Sequence, residues 1–235
     1  MTQAPKTQAH LNESSDLDGD EASSNSSLLH GETESIPGSK KRLKPGERRI
    51  QILETLALML EQPGSERVTT ASLAAKLGVS EAALYRHFAS KAQMFEGLID
   101  FIEESVYHLV SQIVAREGEG MQKAQRMVAM LLQFAEKNPG MVRVMVGDAL
   151  LLENDRLHQR MNHFFDRIES SLRQVIRESS WAQASSTPTV ATQQRASLWV
   201  SFLIGRMHRF VRSGFKRLPT EHLEASLAQL LADHG

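Results

Sequence analysis

The chain has 235 residues, no cysteine, 27 Lys and Arg against 28 Asp and Glu, and a formal net charge of −1. Lacking cysteine, it can form neither disulfides nor thiolate metal sites, which fits a reducing cytoplasm. No apolar run approaches a membrane span, and the N-terminus lacks the apolar core of a secretory leader, so a soluble protein with no membrane partner is expected.

The near-neutral total hides a sorted charge. Residues 1–39 carry one Lys against seven acidic residues, residues 40–91 carry ten Lys and Arg against five Glu, and residues 92–235 balance. The first segment is rich in Ser, Thr, Asp and Glu and cannot bury enough apolar surface to offset its ordering entropy, so disorder is expected there. Residues 40–49, KKRLKPGERR, form a basic arm suited to phosphate or minor-groove contact. The expected organisation is an acidic tail and arm over 1–44, a DNA-reading unit over 45–91, and a larger helical part over 92–235.

The first helix is expected over residues 47–62, with Ile50, Leu53, Ala57 and Leu60 as its buried stripe and Pro63-Gly64 as its stop. Residues 69–91, TTASLAAKLGVSEAALYRHFASK, then read as two short helices around a glycine turn. Glycine takes positive φ without steric cost, so Gly78 can end one helix and redirect the chain. Ser80 stands where an N-cap belongs, and Thr69 or Thr70 can cap the preceding helix. Leu73, Leu77, Leu84 and Phe88 fall at helical spacing and would pack the pair inward.

On a wheel stepping about 100° per residue, Leu84 and Phe88 define the buried side of the second short helix. Ala82 and Arg86 then point outward, with Ala83 and Tyr85 on the flanks. A methyl against thymine and an arginine against guanine are workable base contacts. Tyr85, His87 and Lys91 are placed for backbone phosphates.

YRHFASK after a GVS turn, with TTASLAAKLG before it, resembles the TetR family of bacterial regulators. The resemblance implies an all-α homodimer with a three-helix N-terminal DNA-binding unit, and it places Thr69, Thr70, Ser80, Ala82, Tyr85, His87 and Lys91 at or near DNA. Ala89 departs from the proline that many members carry there.

Beyond the reader, a long helix is expected from residue 91 to 116, a break at Gly118 to Gly120, and a helix over 121–137. Asn138-Pro139 reads as an N-cap with proline at the first helical position, starting a short helix that Gly147 bends. Another helix covers about 155–178, and the polar segment 179–190, SSWAQASSTPTV, is expected to be a loop. The last two helices cover about 192–213, with Leu198, Phe202, Ile204, Met207 and Phe210 as its apolar residues and Arg206, Arg209 and Arg212 as a basic side, and from Pro219-Thr220 onward, with Leu223, Leu227, Leu230 and Leu231. In the family the last two helices pair with their copies in a second subunit.

No catalytic, cofactor or metal site is expected. His158 and His163 are five apart and do not share a helix face, and HExxH, Walker and GxSxG patterns are missing. Asp148, Glu153 and Asp155 read as a solvated acidic group. Met127, Met130, Phe134, Met141, Met145, Phe164 and Phe165 could line an apolar ligand pocket, as in a ligand-relieved repressor, but such stripes are more often plain core.

A narrower resemblance, carried by LETLALMLEQ, LIDFIEESV, EKNPGMVRVMVGDALLLENDRLHQRMNHFFDRIESSLRQVIRE and RMHRFVRSGFKRLPTEHLEA, is to the nucleoid occlusion members of that family. It implies a nucleoid-associated protein that binds palindromic chromosomal DNA and opposes assembly of the division protein FtsZ. It further implies that the FtsZ tail docks near Phe101, Leu132, Lys137 and Asn138.

Overall fold

The computed structural model describes residues 46–62 and 68–231; the acidic tail, the basic arm as far as residue 45 and the Pro63-Gly64 stop lie outside the described residues. Among the described residues every regular element is helical. The order is α1 (Glu47–Leu60), α2 (Thr70–Leu77), α3 (Glu81–Tyr85), α4 (Lys91–Ala115), α5 (Gly120–Lys137), α6 (Pro139–Met145), a 3-10 turn (Asp148–Leu150), α7 (Asp155–Arg177), α8 (Ser180–Ala184), α9 (Pro188–Arg212) and α10 (Leu223–Leu231).

Helices α1, α2 and α3 form the reader, packed over the first turns of α4. Ile52, Leu56 and Leu60 of α1, Leu73 of α2, Leu84 of α3 and Phe88 join Met94, Phe95 and Leu98 in one apolar core. The buried stripe of α1 is Ile52, Leu56, Ala57 and Leu60, not the stripe built on Ile50, which is 56% exposed. Helix α1 is apolar on several sides, so tertiary packing against α4 and α6, not its own periodicity, chose the face. The larger part is a bundle of α4, α5, α7 and α9, in which α7 packs against both α5 and α9 and Trp199, Phe164 and Ile168 are fully buried.

The segment expected to be a loop at 179–190 is mostly helical. Ser179 caps α8, accepting from the Ala182 N–H at 3.2 Å and donating to the Ile176 carbonyl at 2.5 Å. Helix α9 starts at Pro188, earlier than expected, with proline in its first turn where no partner for its nitrogen is needed. Leu198 on α9 is 53% exposed and is not part of the core. Helix α10 starts at Leu223 and not at Pro219, the chain first turning through a positive φ at His222.

The body grips the reader where α6 crosses α1. A Cβ placed on Gly140 would lie 2.0 Å from the carbonyl oxygen of Ala57, so the two backbones touch. Beside this crossing, buried Arg143 donates through Nη1 to the Leu60 carbonyl at 3.2 Å and through Nε to Asp148 at 2.5 Å. The guanidinium thereby donates to a carbonyl in the last turn of α1, where helix carbonyls run out of intrahelical donors. Gly140→Ala is expected to lower stability by about 2–3 kcal/mol, because the added methyl meets backbone that cannot rotate away. Thermal unfolding checks this, and an unchanged Tm would mean that α6 can slide on α1 at no cost.

Candidate nucleic-acid interface

The turn between α2 and α3 is fixed by local chemistry. Thr69 and Ser72 form a reciprocal capping box at the start of α2, each side chain meeting the other's backbone N–H. Gly78 ends α2 in the left-handed region at φ 65°, and its N–H reaches the Ala74 and Ala75 carbonyls. Ser80 then caps α3, accepting from the Ala83 N–H at 3.3 Å. The helix proper is five residues, Glu81–Tyr85, but its last turn continues as Phe88 donates to the Leu84 carbonyl at 3.1 Å.

Only one side of α3 is sealed. Leu84 and Phe88 are each 1% exposed, whereas Ala82, Tyr85, Arg86 and His87 are open to solvent and Ala83 is half-buried. Arg49 of α1 holds the end of α3 from below. Its Nη1 donates to the His87 carbonyl at 2.6 Å, and its guanidinium stacks 3.9 Å from the centre of the Phe88 ring. The sequence reading placed Arg49 in the basic arm and missed this support. The signal was available in part, since an arginine within a helical turn of the α1 core positions can reach inward with its stem.

Both threonines expected near DNA are engaged within the protein. Thr69 serves the capping box, and the Thr70 hydroxyl donates to Glu81 at 2.7 Å, tying α2 to α3. Ser80 remains exposed while capping. Lys91, half-buried at the first position of α4, is ion-paired: its Nζ lies 2.5 Å from Glu153, 62 residues away.

Helix α4 carries the reader into the body and is laced to α7. Lys91 pairs with Glu153 just ahead of α7, Glu96 with Arg156, and Asp100 and Glu103 with Arg160 at 2.6 Å each. Further along, the Arg167 guanidinium stacks 3.9 Å from the Tyr107 ring centre. Partners ascend together in number, so the two helices run parallel. The hydrogen bond to Glu103 is the largest cause of the raised pKa of Arg160, and burial raises that of the Tyr107 hydroxyl.

The four residues expected at a partner groove do not all lie at the surface. Phe101 is 47% exposed on α4, one turn beyond Gly97, and Lys137 is exposed at the end of α5. Asn138 is half-buried and its amide donates to the Phe134 carbonyl at 2.8 Å. Leu132 is fully buried and is core, so it cannot be a surface contact for a peptide in this conformation. The α5 segment around it is apolar at six consecutive positions, Met127 to Leu132, so the sequence did not single out the outward ones. Met127, Met145, Phe164 and Phe165 are likewise buried core.

Among the described residues no group of three His, Asp or Glu is placed to hold a metal, and no helix is long and apolar enough to cross a membrane.

Comparison with known proteins bears on both parts of the chain. Residues 52–98 match the family described as bacterial regulatory proteins, tetR family, and residues 118–233 match a tetracyclin repressor-like C-terminal domain. The nucleoid occlusion factor SlmA of Colwellia psychrerythraea is 47% identical over 84% of this chain and 99% of its own length. That of Idiomarina loihiensis is 50% identical over 76% of this chain and 90% of its own. Among solved structures, a TetR-family transcriptional regulator from Bordetella parapertussis superposes with a TM-score of 0.64 at 14% identity, covering 80% of this chain and 96% of that one, a likeness of fold.

Proposed function

Since the chain belongs to the SlmA family of nucleoid occlusion factors, built on the TetR-type fold, we propose that it acts as a DNA-activated inhibitor of cell division. In this reading two copies form a homodimer whose α3 helices enter successive major grooves about 34–36 Å apart and read a chromosomal palindrome. Residues 45–91 serve as the reader, and residues 92–235 supply the dimer contact and the partner surface. The DNA-bound dimer, held at the nucleoid in the cytoplasm, opposes FtsZ ring assembly over the chromosome. The observation that carries the reading is the open side of α3, where Ala82, Tyr85 and Arg86 face solvent on a helix capped and buttressed from behind.

The partner surface is centred on Phe101. A half-exposed aromatic on a rigid helix is a suitable anchor for an apolar peptide side chain. Lys137 supplies a positive charge suited to the acidic part of an FtsZ tail. The alternative, a repressor released by a small molecule, draws no support from relatives named for nucleoid occlusion.

The test is sedimentation of FtsZ polymers with the protein alone and with the protein plus a palindrome recovered by selection from genomic DNA. Pelleted FtsZ should fall only when both are present; equal pelleting with and without the duplex would sink the proposal. Phe101→Asp should leave duplex binding intact and weaken inhibition about tenfold, the cost of losing a small hot spot. A dose–response curve for pelleted FtsZ measures this.

A further inference from the structure

The ion pair at the foot of α4 joins a residue placed for DNA phosphate to a carboxylate already in possession of it. Lys91 is the first residue of α4, where the helix dipole disfavours a positive charge. Its amine lies 2.5 Å from Glu153 and 5.6 Å from the Phe95 ring centre. The acid is the anchored partner, with its side chain 11% exposed against 29% for the lysine.

The backbone around Glu153 is also held. Its N–H donates to the Leu150 carbonyl at 2.9 Å, Leu150 donates back to Gly147 at 3.0 Å, and the His158 ring nitrogen lies 2.9 Å from the same Leu150 carbonyl. At the other end of this loop Asp148 holds Arg143, which reaches the carbonyl of Leu60 at the end of α1. The short segment 147–154 therefore has two holds on the reader, a direct one through Glu153 on the first residue of α4 and an indirect one through Asp148, which holds Arg143 of α6 on the last residue of α1.

From this geometry we infer that Glu153 is a resident competitor for the DNA phosphate that Lys91 is placed to take, and that phosphate engagement releases one of the loop's two grips on the reader. The inference rests on the proposed DNA-binding reading. Lysine is the partner that moves, because its stem is flexible and its head is a point charge. The hold through Arg143, whose side chain is buried and bonded to both Asp148 and the Leu60 carbonyl, stays.

The experiment is a duplex-binding titration across salt concentrations with the full-length protein, Glu153→Gln, Lys91→Gln and the double variant. Glutamine keeps the shape and an accepting oxygen but removes the charge. Glu153→Gln should bind about threefold to tenfold more tightly than the unaltered protein, the scale of a partly exposed pair. It should also steepen the fall of log affinity with log salt by up to about one per subunit. Lys91→Gln should cost more in the Glu153→Gln background than alone. Equal or weaker binding by Glu153→Gln, or equal Lys91→Gln costs in both backgrounds, overturns the inference while leaving the DNA reading intact. Absence of duplex binding by the unaltered protein overturns both.

Discussion

Ala82→Glu is expected to abolish specific DNA binding while leaving the fold at least as stable as before. Position 82 lies in the first turn of α3, just after the Ser80 cap and Glu81, and is exposed. A carboxylate in the first turn of a helix is favoured by the dipole, so the substitution does not injure the helix. In the proposed complex the outward side of α3 lies against base edges and phosphates, where the carboxylate replaces a methyl contact with like-charge repulsion. A lost base contact costs about 1–3 kcal/mol. Two copies in a dimer then give about 4 kcal/mol, or roughly a thousandfold in affinity. Gel shift on the selected palindrome measures the loss, and a Tm no lower than that of the unaltered protein separates it from unfolding. Arg86→Ala should act in the same direction but less severely, since it removes a contact without adding a repulsive one. Unchanged affinity in both variants would show that this side of α3 does not face the duplex.

The parts of the site that were legible in the sequence are those fixed by neighbours along the chain. Gly78 must leave α2 through a positive φ, Ser80 must cap α3, and Leu84 and Phe88 must share one side; each follows from spacing and local hydrogen bonding. The outward placement of Ala82 and Arg86 follows in turn. What was not legible depends on contacts between distant segments. The partner of Lys91 is 62 residues away, and Arg143 reaches 83 residues back to the Leu60 carbonyl. Neither periodicity nor composition names such pairs.

The departures from expectation have the same origin in contacts between distant segments. The stripe built on Ile50 gives way to one built on Ile52 because α1 offers apolar residues on several faces, and its packing against α2, α4 and α6 decides between them. Leu132 was placed at the partner surface by resemblance, whereas packing has drawn it wholly inward. The segment 179–190 looked like a loop from its polar content. Yet Thr187-Pro188 carries a helix-start signal of the kind read correctly at Asn138-Pro139. There, the local helix-start chemistry outweighs the polar composition.

Gly205→Trp is expected to convert the proposed homodimer to a monomer and to cut palindrome affinity by a thousandfold or more. Gly205 is in the middle of α9, where glycine costs about 1 kcal/mol relative to alanine. A Cβ placed there meets nothing within 4 Å, so packing within one chain gives no reason for the cost. Leu198, Ser201, Gly205, His208 and Arg212 are all exposed and recur at intervals of three and four, the spacing of a seam between two helices. A glycine at the centre of such a seam lets a second backbone approach closely, and an indole there holds it off. With the dimer lost, each reader binds its half-site alone and the gain from linked binding disappears. Gly205→Ala separates the two explanations of the glycine. If α9 faces only solvent, alanine should raise the Tm by the helix-propensity increment. If α9 faces its own copy, the added methyl should weaken self-association even as it favours the helix. Light scattering across a dilution series reads the mass directly, and a Gly205→Trp protein that stays dimeric would move the interface off this seam.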